Sequence, residues 1–263
     1  MSLKERYGPW ALLVGGSEGI GEHLARKLAA AGINIVLVAR KPEPLAQTSQ
    51  KIRDESGVVV RTLALDIARP DMLARVRDIT NGLEIGFLAH NVGGGGGFGP
   101  FVEQPLEIAM TPVLANCVAL AQLAHSFGGP MAKRGRGAIL VIGSMAGNAG
   151  SFYFAGYSAA KAFNQILAEA LWAELQPKGV DVLAFPVVAA DTPSRRRSGA
   201  KDDDPAVPVA KPEDIAQLAL DNLPNGPVYV TPQTADYFRT LCTPSRREAA
   251  ELQRDLLLRV MQQ

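Results

Sequence analysis

The stretch WALLVGGSEGIGEHLARKLAAAGINIVLVA, residues 10–39, decides the fold. WALLV (10–14) is a short apolar run ending in glycines, which reads as a buried strand. GGSEGIG (15–21) carries glycines at 15, 19 and 21. EHLARKLAAAG (22–32) has apolar residues at helical spacing and a glycine stop, and INIVLVA (33–39) is a β-branched run. The stretch is one βαβ unit. Its glycines let the backbone turn tightly and let a pyrophosphate approach the N-terminus of the helix, where free N–H groups favour anions. The candidate binding residues in this loop are Gly15, Ser17, Gly19, Ile20 and Gly21.

The alternation continues along the chain. Residues 45–57 read as helix, 58–66 as strand, 72–82 as helix and 84–93 as a strand running into glycine. A long helix covers about 104–127, with Pro112 near its start or kinking it. Then come a strand at 138–144, a helix at 157–176, a strand at 180–188, a helix at 212–223 and a last short strand at 227–230. Right-handed crossovers turn this order into an α/β fold. The expectation is a doubly wound Rossmann fold in a single domain, with a parallel seven-stranded sheet and helices on both faces. Such sheets bind ligands at the carboxyl ends of their strands.

Composition narrows the function. With 263 residues and a formal net charge of +1, the chain has no basic excess for nucleic acid or an anionic membrane. Two cysteines, Cys117 and Cys242, do not make a disulfide framework and fit reduced thiols in the cytoplasm. The N-terminus has no long apolar run, and no window reads as a membrane span. No metal site is expected.

The end of the second strand indicates the dinucleotide. An acidic residue there would favour NAD(H). Here Ala39-Arg40-Lys41 offers Arg40 to a 2′-phosphate, so NADP(H) is expected, with Glu18 as a contrary negative charge. YSAAK (157–161) puts Tyr157 and Lys161 one helical turn apart. A cation held beside a phenol lowers its pKa and fits it for proton exchange with a carbonyl or an alcohol. Ser144, ending the preceding strand, would hydrogen-bond the same oxygen. Asn116, in the helix after strand 4, would anchor a water reaching toward Lys161.

GGSEGIG, HNVG (90–93), Ser144 and YSAAK together resemble the short-chain dehydrogenase/reductase family from about Trp10 to Val230. That resemblance makes Tyr157 the general acid/base, Lys161 the holder of the nicotinamide ribose, Ser144 the group orienting the carbonyl and Asn116 the keeper of a relay water. It implies adenine contact by Asp66 with Ile67 beside it, a cofactor cleft lined by Asn91 and Gly93, and a nicotinamide flanked by Pro186 and Val188. Thr192 is the aligned candidate for the nicotinamide amide. Three positions depart from the family pattern: Val14 replaces a threonine, His90 an asparagine, and Val187 a glycine. His90 reads as a packed structural residue. YGPWALLVGGSEGIG and GLEIGFLAHNVG are similar to the branch of 17β-hydroxysteroid dehydrogenases and 3-ketoacyl-CoA reductases.

The implied function is reduction of a ketone to a secondary alcohol or its reverse, on an apolar, aromatic or steroid-like small molecule. A 3-oxoacyl thioester reductase is the alternative, and a non-catalytic NADPH-binding sensor is an alternative of another class. Met145, Phe152, Tyr153 and Phe154 are candidate pocket residues. The glycine run at 93–97 and a lid at 187–211, containing Arg195–Arg197, are expected to shape the site. The tail at 243–263 reads as an amphipathic helix, and the long helices as faces of a homodimer or homotetramer.

Overall fold

The computed structural model describes residues 1–93, 97–197 and 209–262. After a short helix α1 (Leu3–Tyr7) come β1 (Trp10–Val14), α2 (Gly19–Ala30), β2 (Asn34–Ala39), α3 (Pro42–Ser56), β3 (Val60–Ala64), α4 (Met72–Ile79) and β4 (Ile85–His90). A continuous helical stretch follows: α5 (Leu106–Pro112), a π-helical turn (Val113–Val118) and α6 (Ala119–Arg134). The second half holds β5 (Gly137–Ser144), α7 (Ala155–Leu175), β6 (Val180–Val187), β7 (Ala189–Ala190), α8 (Pro193–Arg197), β8 (Val209–Ala210), α9 (Pro212–Asp221), α10 (Ala235–Leu241) and α11 (Arg246–Gln262).

The strands β1 to β6 form one parallel sheet in the order β3-β2-β1-β4-β5-β6. The order reverses between β1 and β4, which opens a crevice at their carboxyl ends. Strand residues alternate between two cores, as a period of two requires. Ala11, Leu13, Phe87 and Ala89 face α2, α3 and α9, whereas Leu12, Val14 and Leu88 face α4, α6 and α7. Both faces of β1 are covered, so the run WALLV needs no polar side.

Three expectations need correction. The main sheet has six strands among the described residues, not seven. The segment 227–230 adds a single rung, in which Ala184 N donates to Pro227 O (2.8 Å) and Tyr229 N to Ala184 O (3.1 Å). Pro227 has no N–H to extend the ladder. The helix expected at about 104–127 runs from Leu106 to Arg134. Pro112 lies inside it, and because proline removes one helical hydrogen bond, the chain widens into the π turn immediately after it. This helix is also long and apolar enough, by length and composition, to cross a membrane. Its inner face, Leu120, Leu123, Phe127 and Met131, packs in the core beneath the sheet.

The stretch 187–211 is described at 187–197 and 209–211. There β7 pairs in parallel with β8, and α8 lies between them in sequence. The rest of that stretch, 198–208, and Gly94–Gly96 of the glycine run lie outside the described residues.

Candidate active site

The glycine loop is built by close backbone approach. Gly15 and Gly19 have φ of +82° and +56°, values that favour glycine. A Cβ on Gly21 would lie 2.1 Å from Gly15 O, so a side chain there would break the loop. Asn91, expected to line the cleft, has a committed side chain: its Nδ2 donates to Gly15 O at 2.8 Å and braces the loop. Thr48 Oγ1 holds the Ser17 carbonyl from α3 (2.8 Å), a brace that the sequence reading missed. Glu18 precedes α2 without capping it by its side chain, so the first N–H groups of α2 point into the crevice uncapped.

Arg40 is exposed at the end of β2. Asp66 is exposed just beyond β3, and its Oδ1 accepts a hydrogen bond from Ala68 N at 3.0 Å, while Ile67 is buried beside it. Ile20, in the first turn of α2, is buried, and Gly93 is exposed. Pro186 pairs with Gly143 across the β5–β6 ladder, and Val188 packs against the C-terminal segment. Thr192 lies against the glycine loop, where a Cβ on Gly19 would be 2.7 Å from the Thr192 methyl. The Thr192 hydroxyl accepts from Arg195 N (3.2 Å) at the start of α8. From the same helix Arg197 donates two hydrogen bonds to Glu18, at 2.8 and 2.5 Å. That guanidinium holds the Glu18 carboxyl below its usual range and offsets the negative charge the sequence placed in the loop.

Ser144, Tyr157 and Lys161 meet at the carboxyl end of β5. Ser144 ends the strand, and its Oγ accepts from Ala146 N (3.2 Å), capping the turn Met145–Asn148. The Ser144 hydroxyl is also the neighbour that lowers the pKa of the Tyr157 phenol. Lys161 is buried, with Nζ donating to Val92 O (2.8 Å) and Ile142 O (3.1 Å), and it lies 5.7 Å from the centre of the Tyr157 ring. Burial lowers the Lys161 pKa to about 7, against a small opposing effect of Cys117.

The electrostatic expectation for Tyr157 is revised. Burial raises its pKa, and the group that lowers it is Ser144, not Lys161. Lys161 Nζ spends its hydrogen bonds on the Val92 and Ile142 carbonyls instead.

Asn116 is fully buried in the π turn. Asn164, which the sequence reading missed, reaches it from α7: with its amide turned to satisfy both ends, Nδ2 donates to Asn116 O (2.9 Å) and Ala160 O (3.2 Å). The available signal was a polar residue seven positions after Tyr157, on the same helix face. His90 is fully buried with neither ring nitrogen hydrogen-bonded. Burial, and then the Lys161 charge, lower its pKa to about 3, so it is neutral.

An aromatic wall flanks the phenol. Ring centres are 6.1 Å apart for Phe154–Tyr157, 5.0 Å for Phe98–Phe154 and 4.0 Å for the stacked pair Phe152–Tyr153. Gln104 fastens the loop carrying Phe98 by donating to Gly97 O (3.1 Å) and Gly99 O (2.9 Å). Met145, expected in the pocket, is instead buried against Leu241 and Ala249.

The short chain dehydrogenase family profile matches residues 9–203. The chain is 33% identical to a 7beta-hydroxysteroid dehydrogenase of Collinsella aerofaciens over 194 residues, 74% of this chain and 73% of that protein. It is 34% identical to a very-long-chain 3-oxoacyl-CoA reductase of Pyricularia oryzae over 205 residues, spanning 75% of this chain and only 62% of that longer protein. A solved short-chain dehydrogenase from Sphingobium yanoikuyae in complex with NADPH superposes with a TM-score of 0.78 at 33% identity, covering 88% of this chain and 94% of that one. With a parallel sheet that reverses at β1/β4, an uncapped glycine loop and a Ser–Tyr–Lys cluster at the strand ends, the chain belongs to the short-chain dehydrogenases, oxidoreductases of the CH–OH/C=O class.

Proposed function

We propose that this protein is an NADP(H)-dependent carbonyl reductase, converting an apolar, aromatic or steroid-like ketone to a secondary alcohol or running the reverse reaction. The observation that carries this reading is the meeting of Ser144, Tyr157 and Lys161 at the carboxyl end of β5, with Lys161 Nζ 5.7 Å from the centre of the Tyr157 ring and an aromatic wall beside it. The uncapped α2 N-terminus and the tight backbone at Gly15 and Gly21 suit a pyrophosphate. Arg40 would hold the 2′-phosphate, Asp66 and Ile67 the adenine, and Pro186, Val188 and Thr192 the nicotinamide end. The bound nicotinamide supplies or accepts the hydride at the carbonyl carbon.

In the reduction, the Ser144 hydroxyl donates a hydrogen bond to the substrate oxygen and fixes it beside Tyr157. The phenol donates its proton to that oxygen as negative charge develops there. Lys161 would hold the nicotinamide ribose beside the phenolate that remains. With a pKa near neutrality, it can pass a proton back without leaving its carbonyl ligands. Asn116, held by Asn164, would anchor the water that returns this proton from solvent.

The relatives divide between a steroid ketone and a 3-oxoacyl thioester. The aromatic wall of Phe98, Phe152, Tyr153 and Phe154 favours a ring system. NADPH absorbance followed over an oxo-steroid, an aryl alkyl ketone and a 3-oxoacyl-CoA decides between them, and preference for the thioester would move the protein to the second reading. For the cofactor, Arg40→Ala is expected to weaken NADPH binding about 10–100-fold while changing NADH less than about threefold, the size of a charge-assisted hydrogen bond to phosphate. Equal loss of both, by fluorescence titration, would refute the NADP(H) assignment.

The assembly we propose is a homodimer or homotetramer. Leu106, Met110, Leu114 and Val118 on one long helix, with Phe163 and Ile166 on α7, leave a stripe of exposed apolar side chains suited to a second copy. The chain would act as one domain in the cytoplasm. Its two free cysteines fit a reducing compartment.

A further inference from the structure

The C-terminal segment meets the catalytic serine's own turn. Arg246, at the start of α11, sends one guanidinium nitrogen to Leu241 O (2.9 Å) and the other to Asn148 O (2.7 Å). Asn148 is buried at the end of the turn that Ser144 begins, and its Nδ2 donates to Met145 O at 3.2 Å. On its other side the turn lies hard against α7, where a Cβ on Gly147 would be 2.7 Å from the Lys161 carbonyl carbon. Met145 and Ala149 complete the contact by packing on Leu241 and Ala249. Beyond this point α11 and α7 separate around a cavity of about 600 Å³, bounded by Ala155, Ala159, Ala162, Ala250 and Arg254.

From these contacts we infer that Arg246 is a positioning residue for Ser144, acting through the Asn148 carbonyl, so that the C-terminal helix sets the geometry of the serine beside Tyr157. The turn is braced on one side by the α7 backbone and on the other by the Arg246 guanidinium. Replacing Arg246 leaves the Asn148 and Leu241 carbonyls without that donor, and the turn relaxes outward with Ser144 at its base. The inference rests on the reading of Ser144 and Tyr157 as the reacting pair. The groups around the phenol are Ser144 from β5, Lys161 from α7 and the Phe154 ring, with His90 and Cys117 beyond Lys161. Because Ser144 is the neighbour that lowers the Tyr157 pKa, its displacement has a spectroscopic signature independent of turnover.

The test uses the full-length protein with NADP⁺ bound. Phenolate absorbance is titrated in wild type, Arg246→Ala and Arg246→Lys, each with Tyr157→Phe as the subtracted reference. Steady-state ketone reduction is measured alongside, using whichever of the oxo-steroid or the aryl alkyl ketone wild type reduces. Arg246→Ala is expected to raise the Tyr157 titration by about one pH unit and lower kcat about tenfold, with NADPH affinity unchanged. Arg246→Lys, which keeps a donor for Asn148 O, is expected to recover most of both. Coincident titrations for wild type and Arg246→Ala overturn the inference, as does a loss of kcat that follows only the folded fraction. If Arg246→Ala does not fold, Arg246→Met, which keeps the aliphatic stem and has no donor, takes its place, and an unshifted titration in it overturns the inference. A wild type that reduces no ketone refutes the functional reading, whereas the titration still decides the role of Arg246.

Discussion

Tyr157→Phe is expected to reduce kcat by about two to four orders of magnitude, the range for losing a positioned general acid, while NADPH affinity changes less than about threefold. The phenylalanine keeps the ring edge against Phe154 and removes only the hydroxyl. The substrate oxygen then has no proton donor. The pH dependence has a definite sign. Burial raises the Tyr157 pKa, so the proton stays on the phenol at neutral pH, the form that reduction needs. Ketone reduction should therefore hold through neutrality and fall only on the alkaline side, whereas alcohol oxidation, which needs the phenolate, should climb with pH. Retention of more than a tenth of wild-type kcat would mean that Tyr157 is not the proton donor. If the chain were a sensor, Tyr157→Phe would leave its output unchanged.

Lys161→Met should act in opposite directions on stability and on activity. Lys161 falls from an ordinary value of 10.5 in the unfolded chain to about 7 in the folded one. Between those values the unfolded chain binds the extra proton, so stability rises with pH from about 7 to 10.5 and carries its full penalty at and below neutrality. Methionine fills similar space without that penalty, which is on the order of a few kcal/mol. The variant without cofactor should melt roughly 3–8 °C higher at pH 6–7 and lose most of the alkaline rise in Tm. His90 adds a term of the same sign at lower pH, since its pKa falls from 6.5 to about 3, and this term should persist in the variant. Turnover should nevertheless fall at least about 100-fold, because the amine that would hold the nicotinamide ribose and return the proton to Tyr157 is lost. A variant that melts lower at neutral pH, or keeps its activity, contradicts this account.

The layered fold was legible because each strand of residues 10–39 and its successors carries a period that matches its burial. β1 is apolar and buried beyond Trp10, and β4 is buried along its whole length and apolar up to His90. The failures were local. Pro227 was counted within a strand although it has no N–H to give. α1 was overlooked although Ser2 and Glu5 form a reciprocal capping box, with Ser2 N donating to Glu5 Oε2 at 2.7 Å and Glu5 N to Ser2 Oγ at 3.2 Å. In the site, YSAAK and Ser144 could be read from spacing because a helix turn and a strand end place them directly. The effect of Lys161 on Tyr157 could not, since it depends on how deeply the ammonium is buried, and no spacing encodes that. Asn164 and Arg246 act on backbone carbonyls far away in sequence, which only the folded chain brings within reach.

The two-pronged grip of Arg197 on Glu18 joins the far bank of the crevice to the loop that receives the dinucleotide. Both side chains touch water, and such a pair is worth only about 0–1 kcal/mol, near thermal energy. A fastening on the surface of that size would part at little cost to the sheet if an arriving dinucleotide displaced it. Exchange of spent for fresh coenzyme would then require no large rearrangement of the sheet, only the repeated parting of one arginine from one carboxylate.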